Sequence, residues 1–288
     1  MKNKKTIPLK ELYISGKNTL TKSGIENPGL EASLLLSRAL SINPSDIHSN
    51  PEREIRPDNV EEFNCLLERR IKREPIAYIL GEKEFYSRQF AVTPNVLIPR
   101  PETEILVEEI LNLTRSIPSP SIIDIGTGSC CIAVTLGCEI EDAALYASDI
   151  SFEAIAVAKL NAKRHDQSAK ISFVCSAFLS CFKKESFDLV VSNPPYVEAA
   201  SFGALEPDVR EYEPKLSLYG GENGLNCIGA IISQSKRVLK NGGWCILEVG
   251  AGQSERVLEI FLESGFNNIS FIKDISGMER VVKGKWIK

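Results

Sequence analysis

Four consecutive residues, Asn193-Pro194-Pro195-Tyr196, place an amide, a free carbonyl and an aromatic ring side by side. They follow Phe187-Asp188-Leu189-Val190-Val191-Ser192, an apolar run that predicts a buried strand. The motif therefore belongs at a strand's carboxyl end, where open α/β sheets bind their ligands. Two prolines remove two backbone donors and fix two φ angles, which makes a stiff loop. The Asn193 amide can both donate and accept, the Pro194 carbonyl must accept outside the sheet, and Tyr196 offers a flat face. Together these groups suit a planar sp² carbon bearing NH₂, held by its two N–H groups and stacked on a ring. A proline turn that merely caps the strand has the same composition.

A second constellation lies upstream. Ser121-Ile122-Ile123-Asp124-Ile125 predicts a buried strand running into Gly126-Thr127-Gly128-Ser129-Cys130 and then a helix from Cys131 to about Gly137. Glycines let backbone approach a ligand closely, and a helix start offers free N–H groups. The loop alone fits a nicotinamide dinucleotide equally well. Asp149 ends the next apolar run, where an acidic side chain can take ribose hydroxyls. It can also cap a helix beginning near Ser151.

Strand, glycine loop, helix, strand and Asp, then a strand ending in Asn-Pro-Pro-Tyr, is the layout of S-adenosylmethionine-dependent amino-methyltransferases. More narrowly, the chain resembles the bacterial peptide chain release factor N5-glutamine methyltransferases over nearly its whole length. The resemblance rests on Leu97-Ile98-Pro99-Arg100-Pro101-Glu102-Thr103-Glu104, the glycine loop and Asn193 to Tyr196. It continues through Val209-Arg210-Glu211-Tyr212-Glu213-Pro214, Gly220-Gly221-Glu222-Asn223-Gly224-Leu225 and Glu279-Arg280. It implies an enzyme that moves a methyl group to the side-chain nitrogen N5 of the glutamine in a release factor's GGQ motif. S-adenosyl-L-methionine would be the donor and S-adenosyl-L-homocysteine the product. The cofactor residues implied are Gly126, Thr127, Gly128, Ser129, Cys130, Asp149, Phe178 and Asn193. Asn193, Pro194 and Tyr196 are implied as catalytic, and Asn193, Pro194, Pro195 and Tyr196 as holding the glutamine. Cys130 departs from the family's usual glycine, and Ala177 from an acidic residue often found near the adenine.

The length of 288 residues suits two domains. With 43% hydrophobic and 25% charged residues, and a net charge of −4, the composition is that of a soluble globular protein without a basic footprint for nucleic acid. That weighs against adenine methylation in DNA or RNA, a chemistry Asn-Pro-Pro-Tyr would otherwise serve. Methylation of a ribosomal protein's glutamine, and a non-catalytic module that only binds the cofactor, remain alternatives. No stretch has the roughly 18 apolar residues of a membrane span, and Met1-Lys2-Asn3-Lys4-Lys5 lacks the apolar run of a secretory signal. A cytoplasmic monomer without stable nucleic-acid or membrane partners is expected. The eight cysteines contain no C-x-x-C pair, and with only His48 and His165 beside them no metal site is expected. Packing as small hydrophobes is the expected role of the set.

The elements that must position these residues are an α/β, Rossmann-like doubly wound sheet of the class I methyltransferase type, a small amino-terminal helical domain and a linking β-hairpin. Residues 1–75 form the helical domain, with helices near Leu9, from Pro28 and from Pro57 to about Pro75. It is expected to dock the substrate. Its third helix presents Glu61, Glu62, Glu68, Arg69, Arg70, Lys72 and Arg73 as a charged face. Residues 76–100 are the hairpin, with strand-like runs on either side of Ser87. Residues 101–288 are the catalytic domain, with strands near 121–125, 143–149, 171–175, 187–192, 244–249, 268–273 and 280–286. Arg100 and Glu102 form either a salt-bridged hinge or part of the site's mouth. Arg210 and Glu213 are expected to clamp the segment after Tyr196, and Glu279 and Arg280 to pair with it.

Overall fold

A computed structural model describes residues 6–288, so the amino-terminal Met1 to Lys5 lies outside the described residues. The elements in chain order begin with β1 (Ile7–Pro8), α1 (Leu9–Lys22), α2 (Pro28–Leu40), α3 (Asp46–Ser49), β2 (Glu54–Ile55), α4 (Pro57–Ile71) and α5 (Ile76–Leu80). The hairpin strands β3 (Glu82–Phe85) and β4 (Arg88–Ala91) follow, then α6 (Thr103–Thr114), β5 (Ser121–Ile125), α7 (Cys131–Glu139), β6 (Ala144–Asp149), α8 (Phe152–Arg164), β7 (Ile171–Cys175) and β8 (Phe187–Ser192). The chain ends with α9 (Pro207–Tyr212), α10 (Lys215–Leu218), α11 (Asn226–Val238), β9 (Leu239–Glu248), α12 (Ser254–Glu263), β10 (Asn267–Lys273) and β11 (Glu279–Lys285).

Two compact units result. Among the described residues, one contains the chain up to Gly81 and residues 207–212, the other residues 82–206 and 213–288. In the helical unit, prolines open α2 and α4 at positions where the missing N–H costs nothing. Leu9, Leu12 and Leu20 of α1, Leu35 and Leu36 of α2, and Phe63 and Leu67 of α4 make its core. The charged face expected on α4 is corrected by the structure. Glu62, Glu68 and Lys72 are exposed, but Arg70 is buried between Glu31, at 2.5 Å, and Asp208, at 2.7 Å. Arg69 pairs with Glu74 at 2.5 Å, and Arg73 lies 3.8 Å from Asp208. The outward face of α4 is thus more acidic than its sequence suggests, because its arginines turn toward their own unit's carboxylates.

The boundary at Gly81 puts the hairpin in the second unit rather than in a linker. Tyr86 and Ser87 both take positive φ, 49° and 57°, the backbone of a tight hairpin turn made here without glycine. The Tyr86 N–H donates to Glu104 Oε1 at 2.7 Å, which anchors the turn on α6. Fully buried Asn161 of α8 exchanges hydrogen bonds with the Ala91 backbone and donates to the Ser129 carbonyl, so it ties β4 to the glycine loop.

The seven-stranded sheet has the order β10-β11-β9-β8-β5-β6-β7. β6, β5, β8, β9 and β7 run parallel, and β11 and β10 are antiparallel. The central strands are apolar runs because helices cover both faces: Ile122, Ile123, Leu189, Val190, Val191, Ile246 and Leu247 are all buried. From β5 the chain builds outward through β6 and β7, then returns to place β8 on β5's other side. The carboxyl ends of β5 and β8 form the topological switch point, which is where such sheets open a crevice.

Candidate active site

The glycine loop leaves β5 and is held by its neighbour. The N–H groups of Gly126 and Thr127 both donate to the Ser148 carbonyl of β6, at 2.8 and 3.0 Å. Gly126 has φ 69°, and a Cβ there would project into open space, so its backbone faces the cavity bare. Asp149, at the end of β6, accepts from Gly128 N–H through Oδ2 and from Ser151 N–H through Oδ1, each at 2.9 Å. Its carboxylate therefore braces the loop, while the cap of α8 is Ser151, whose Oγ accepts from Ala154 N–H at 3.0 Å.

Across the switch point, Ser192 Oγ donates to the Ile125 carbonyl at 2.6 Å and pins the ends of β8 and β5 together. Asn193 starts immediately beyond. The Asn-Pro-Pro-Tyr backbone is packed from behind by the Gly220 to Leu225 turn. A Cβ on Gly220 would stand 2.7 Å from the Pro195 oxygen and 2.8 Å from Tyr196 Cα, and one on Gly224 would stand 2.4 Å from the Tyr196 oxygen. That close approach explains why glycines occupy both positions. Val197 N–H donates to the Leu218 carbonyl, Gly220 N–H donates to the Val197 carbonyl, and Gln253 Nε2 donates to the Tyr196 carbonyl.

One cleft, about 900 Å³ out to its open mouth, is lined by Gly126, Gly128, Asp149, Phe178, Asn193, Pro194 and Pro195, with Ala177 and Ile150 beside them. That volume suits a nucleoside-sized ligand. Thr127, Ser129 and Cys130, expected in the cofactor set, are not on its wall. Thr127 donates to Asp124 Oδ2 at 2.6 Å, and Cys130, at φ 67°, buries its thiol in the core against α7. Burial pushes that thiol's pKa well up, so Cys130 serves as packing. Tyr196 is not on the wall either. Its half-buried ring lies beside Gly250, and desolvation together with the nearby Glu248 charge raises its pKa to about 12.

Arg100 donates to Glu213 Oε1 at 2.5 Å, and Ile98 N–H donates to Glu213 Oε2 at 3.3 Å. Glu213 is thus the clamp expected for the segment after Tyr196. Glu279 and Arg280 are corrected: Glu279 accepts from Ser254, and Arg280 donates to Asp274 at 3.0 Å. The cysteines are also only partly core residues, since Cys65, Cys138, Cys175 and Cys181 are exposed.

Three groups have surroundings that the sequence does not disclose. Asp124 is buried beneath the loop, its Oδ1 lacks a hydrogen-bond partner, and burial raises its pKa to about 7. An acid inside the apolar run Ile122 to Ile125 was the available signal. Glu248, at the end of β9, is likewise buried, with a pKa raised to about 7 by burial. Thr103, which opens α6, connects it to Asn193. Bare backbone at Gly126 and Gly128, the Asp149 carboxylate and the apolar side at Phe178 share one cleft and fit an adenosyl sulfonium with an amino-acid tail.

The chain matches the model for the PrmC N-terminal domain over residues 11–81 and that for the Methyltransferase small domain over residues 101–205. It is 41% identical over 266 residues to the release factor glutamine methyltransferase of Geobacter sulfurreducens, covering 92% of each chain. It is 37% identical to that of Caulobacter vibrioides, over 97% of this chain and 96% of the relative. It also matches the bifunctional methyltransferase of Rickettsia typhi at 36% identity, spanning 57% of that protein. Among solved structures, a methyltransferase from Pyrococcus furiosus has a TM-score of 0.53 at 14% identity, over 72% of this chain and 92% of that one. The hMettl16 catalytic domain in complex with MAT2A 3′UTR hairpin 6 reaches 0.56 at 18% identity, over 69% and 76%. Both are similar to this chain in fold.

Proposed function

We propose, for a chain that belongs to the release factor glutamine methyltransferase family, that it methylates N5 of the glutamine in a release factor's GGQ motif. One observation carries the reading: Asn193, Pro194 and Pro195 share a single cleft with Gly126, Gly128 and Asp149. The acceptors suited to a side-chain amide thus border the groups suited to the methyl donor.

The donor is S-adenosylmethionine, which supplies a methyl group already activated by its sulfonium. A carboxamide nitrogen is a poor nucleophile because its lone pair is delocalised, so the protein's work is alignment. Asn193 Oδ1 and the Pro194 carbonyl accept the two N–H bonds of the glutamine amide and turn its nitrogen toward the cofactor side of the cleft. Both oxygens sit where positive charge grows on that nitrogen, which favours the transition state over the ground state. The methylated amide then loses a proton from N5 to water. Asp149 and the Gly126 and Gly128 backbone would hold the ribose and amino-acid ends, and Phe178 the adenine. Tyr196, expected to stack on the amide, would instead brace the loop from behind, because its ring lies beside Gly250.

The helical unit would hold the body of the release factor, chiefly by the exposed face of α4. The net charge of −4, without a basic footprint, favours a protein substrate over nucleic acid. No helix of the described residues is long and apolar enough to cross a membrane. The test is labelled-methyl transfer to release factor, ribosomal protein and DNA in parallel, with mass mapping. Label on the GGQ glutamine alone is expected, and label only on the other substrates overturns the reading.

A further inference from the structure

Thr103 Oγ1 donates to Glu248 Oε2 at 2.7 Å and accepts from Asn193 Nδ2 at 3.1 Å. Thr103 and Glu248 are 3% and 2% exposed, so water does not compete for the bond between them. Neither residue belongs to the Asn-Pro-Pro-Tyr motif. Resting on the reading of Asn193 given above, we propose that Glu248 and Thr103 are positioning residues that fix which end of the Asn193 amide faces the substrate.

An ionised carboxylate only accepts, so the Thr103 hydroxyl must spend its proton on Glu248. The Thr103 oxygen is then only an acceptor on its other side, and the Asn193 end that meets it must be the NH₂. Oδ1 is left for the substrate amide's N–H. If Glu248 takes a proton, it can donate to Thr103 instead. The Thr103 hydroxyl is then free to donate to Asn193 Oδ1, and the flipped amide presents NH₂ to the substrate's NH₂, donor against donor.

The charge on Glu248 is finely placed. Burial raises its pKa to about 7 against the opposing Thr103 hydrogen bond; Glu102 raises it further, and Arg280 and Arg100 lower it. Tyr196 and Cys131 face it as neutral groups, their own pKa values raised to about 12 by burial. The relay therefore switches close to neutral pH.

The test uses the full chain with release factor. Thr103→Val, which keeps shape but neither donates nor accepts, should lower kcat about 10- to 100-fold, as misalignment does, with KM and cofactor affinity nearly unchanged. Thr103→Ser should restore most of kcat. Wild-type kcat should fall as pH drops through about 7, and Glu248→Gln should remove that dependence. In ¹⁵N spectra without substrate, the Asn193 side-chain NH₂ signals, identified by their loss in Asn193→Ala, should titrate in the wild type and not in Glu248→Gln. Static Asn193 signals in the wild type, or folded Thr103→Val with normal kcat, would overturn the relay. Thr103→Ser as impaired as Thr103→Val would do the same. Absence of wild-type release factor methylation would instead overturn the functional reading, because the spectral titration does not depend on substrate.

Discussion

Arg70 and Asp208 stand 138 positions apart in sequence, yet their side chains meet at 2.7 Å inside the helical unit. The segment that follows Asn-Pro-Pro-Tyr thus contributes α9 to that unit, where the Tyr212 hydroxyl also donates to the Lys72 carbonyl at 2.6 Å. Arg70→Ala would leave the partly buried Glu31 without its cation and Asp208 with only Arg73 at 3.8 Å, a change that should cost about 1–3 kcal/mol. Arg69→Ala removes a more exposed pair and should cost under about 1 kcal/mol. Hydrogen exchange across α2 and α4 would separate the two. If instead α4 docks release factor, charge reversal at exposed Glu62 and Glu68 should shift KM with little effect on kcat.

Asn193→Ala should abolish most turnover while cofactor affinity persists. Loss of one aligned polar group of this kind costs on the order of 100- to 1000-fold in kcat. Steady-state rates beside calorimetric cofactor titration check it, and near-normal kcat would remove the amide clamp from the mechanism.

Asp149 braces Gly128 and Ser151 as well as facing the cleft. Asp149→Ala should weaken S-adenosylmethionine binding by about 1.5–3 kcal/mol, the worth of charge-assisted bonds. Asp149→Asn keeps one acceptor and should lose less. Equal affinity in both variants and the wild type would make Asp149 a brace only.

Gly220→Ala should impair methylation far more than Gly203→Ala. The new methyl group meets the Pro195 and Tyr196 backbone at 2.7 and 2.8 Å in the first case and nothing within 4 Å in the second. Cofactor binding by both variants should stay close to wild type. Two equally active variants would mean that Asn-Pro-Pro-Tyr tolerates displacement.

Asp124 and Glu248 are both raised to about 7 by burial. Their ionisation is harder in the fold than in the unfolded chain, so between about pH 4.5 and 7 the folded state binds more protons. Stability should therefore decline as pH rises through that window, by up to about 1.4 kcal/mol per pH unit for each group. Melting curves from pH 5 to 7.5 should show this slope reduced in Asp124→Asn. An unchanged slope would mean that Asp124 ionises normally. For Glu248 the same ionisation that costs stability aligns Asn193.

Much of the fold was legible locally. Apolar runs without alternation marked β5, β6 and β8 because parallel strands are buried on both faces, and prolines marked the starts of α2 and α4. Asn-Pro-Pro-Tyr and the glycine loop announced themselves because each concentrates backbone constraint in a few neighbouring residues. What the chain does with its charges was not legible. Arg70 reads as solvated until Asp208 arrives from the far end of the sequence, and Thr103 and Glu248 read as an ordinary helix start and strand end. Burial and hydrogen-bond partnership are properties of pairs distant in sequence, so the amino-acid order determined the motifs and the strands. Only tertiary packing decided which polar groups lost water, met one another and came to orient Asn193.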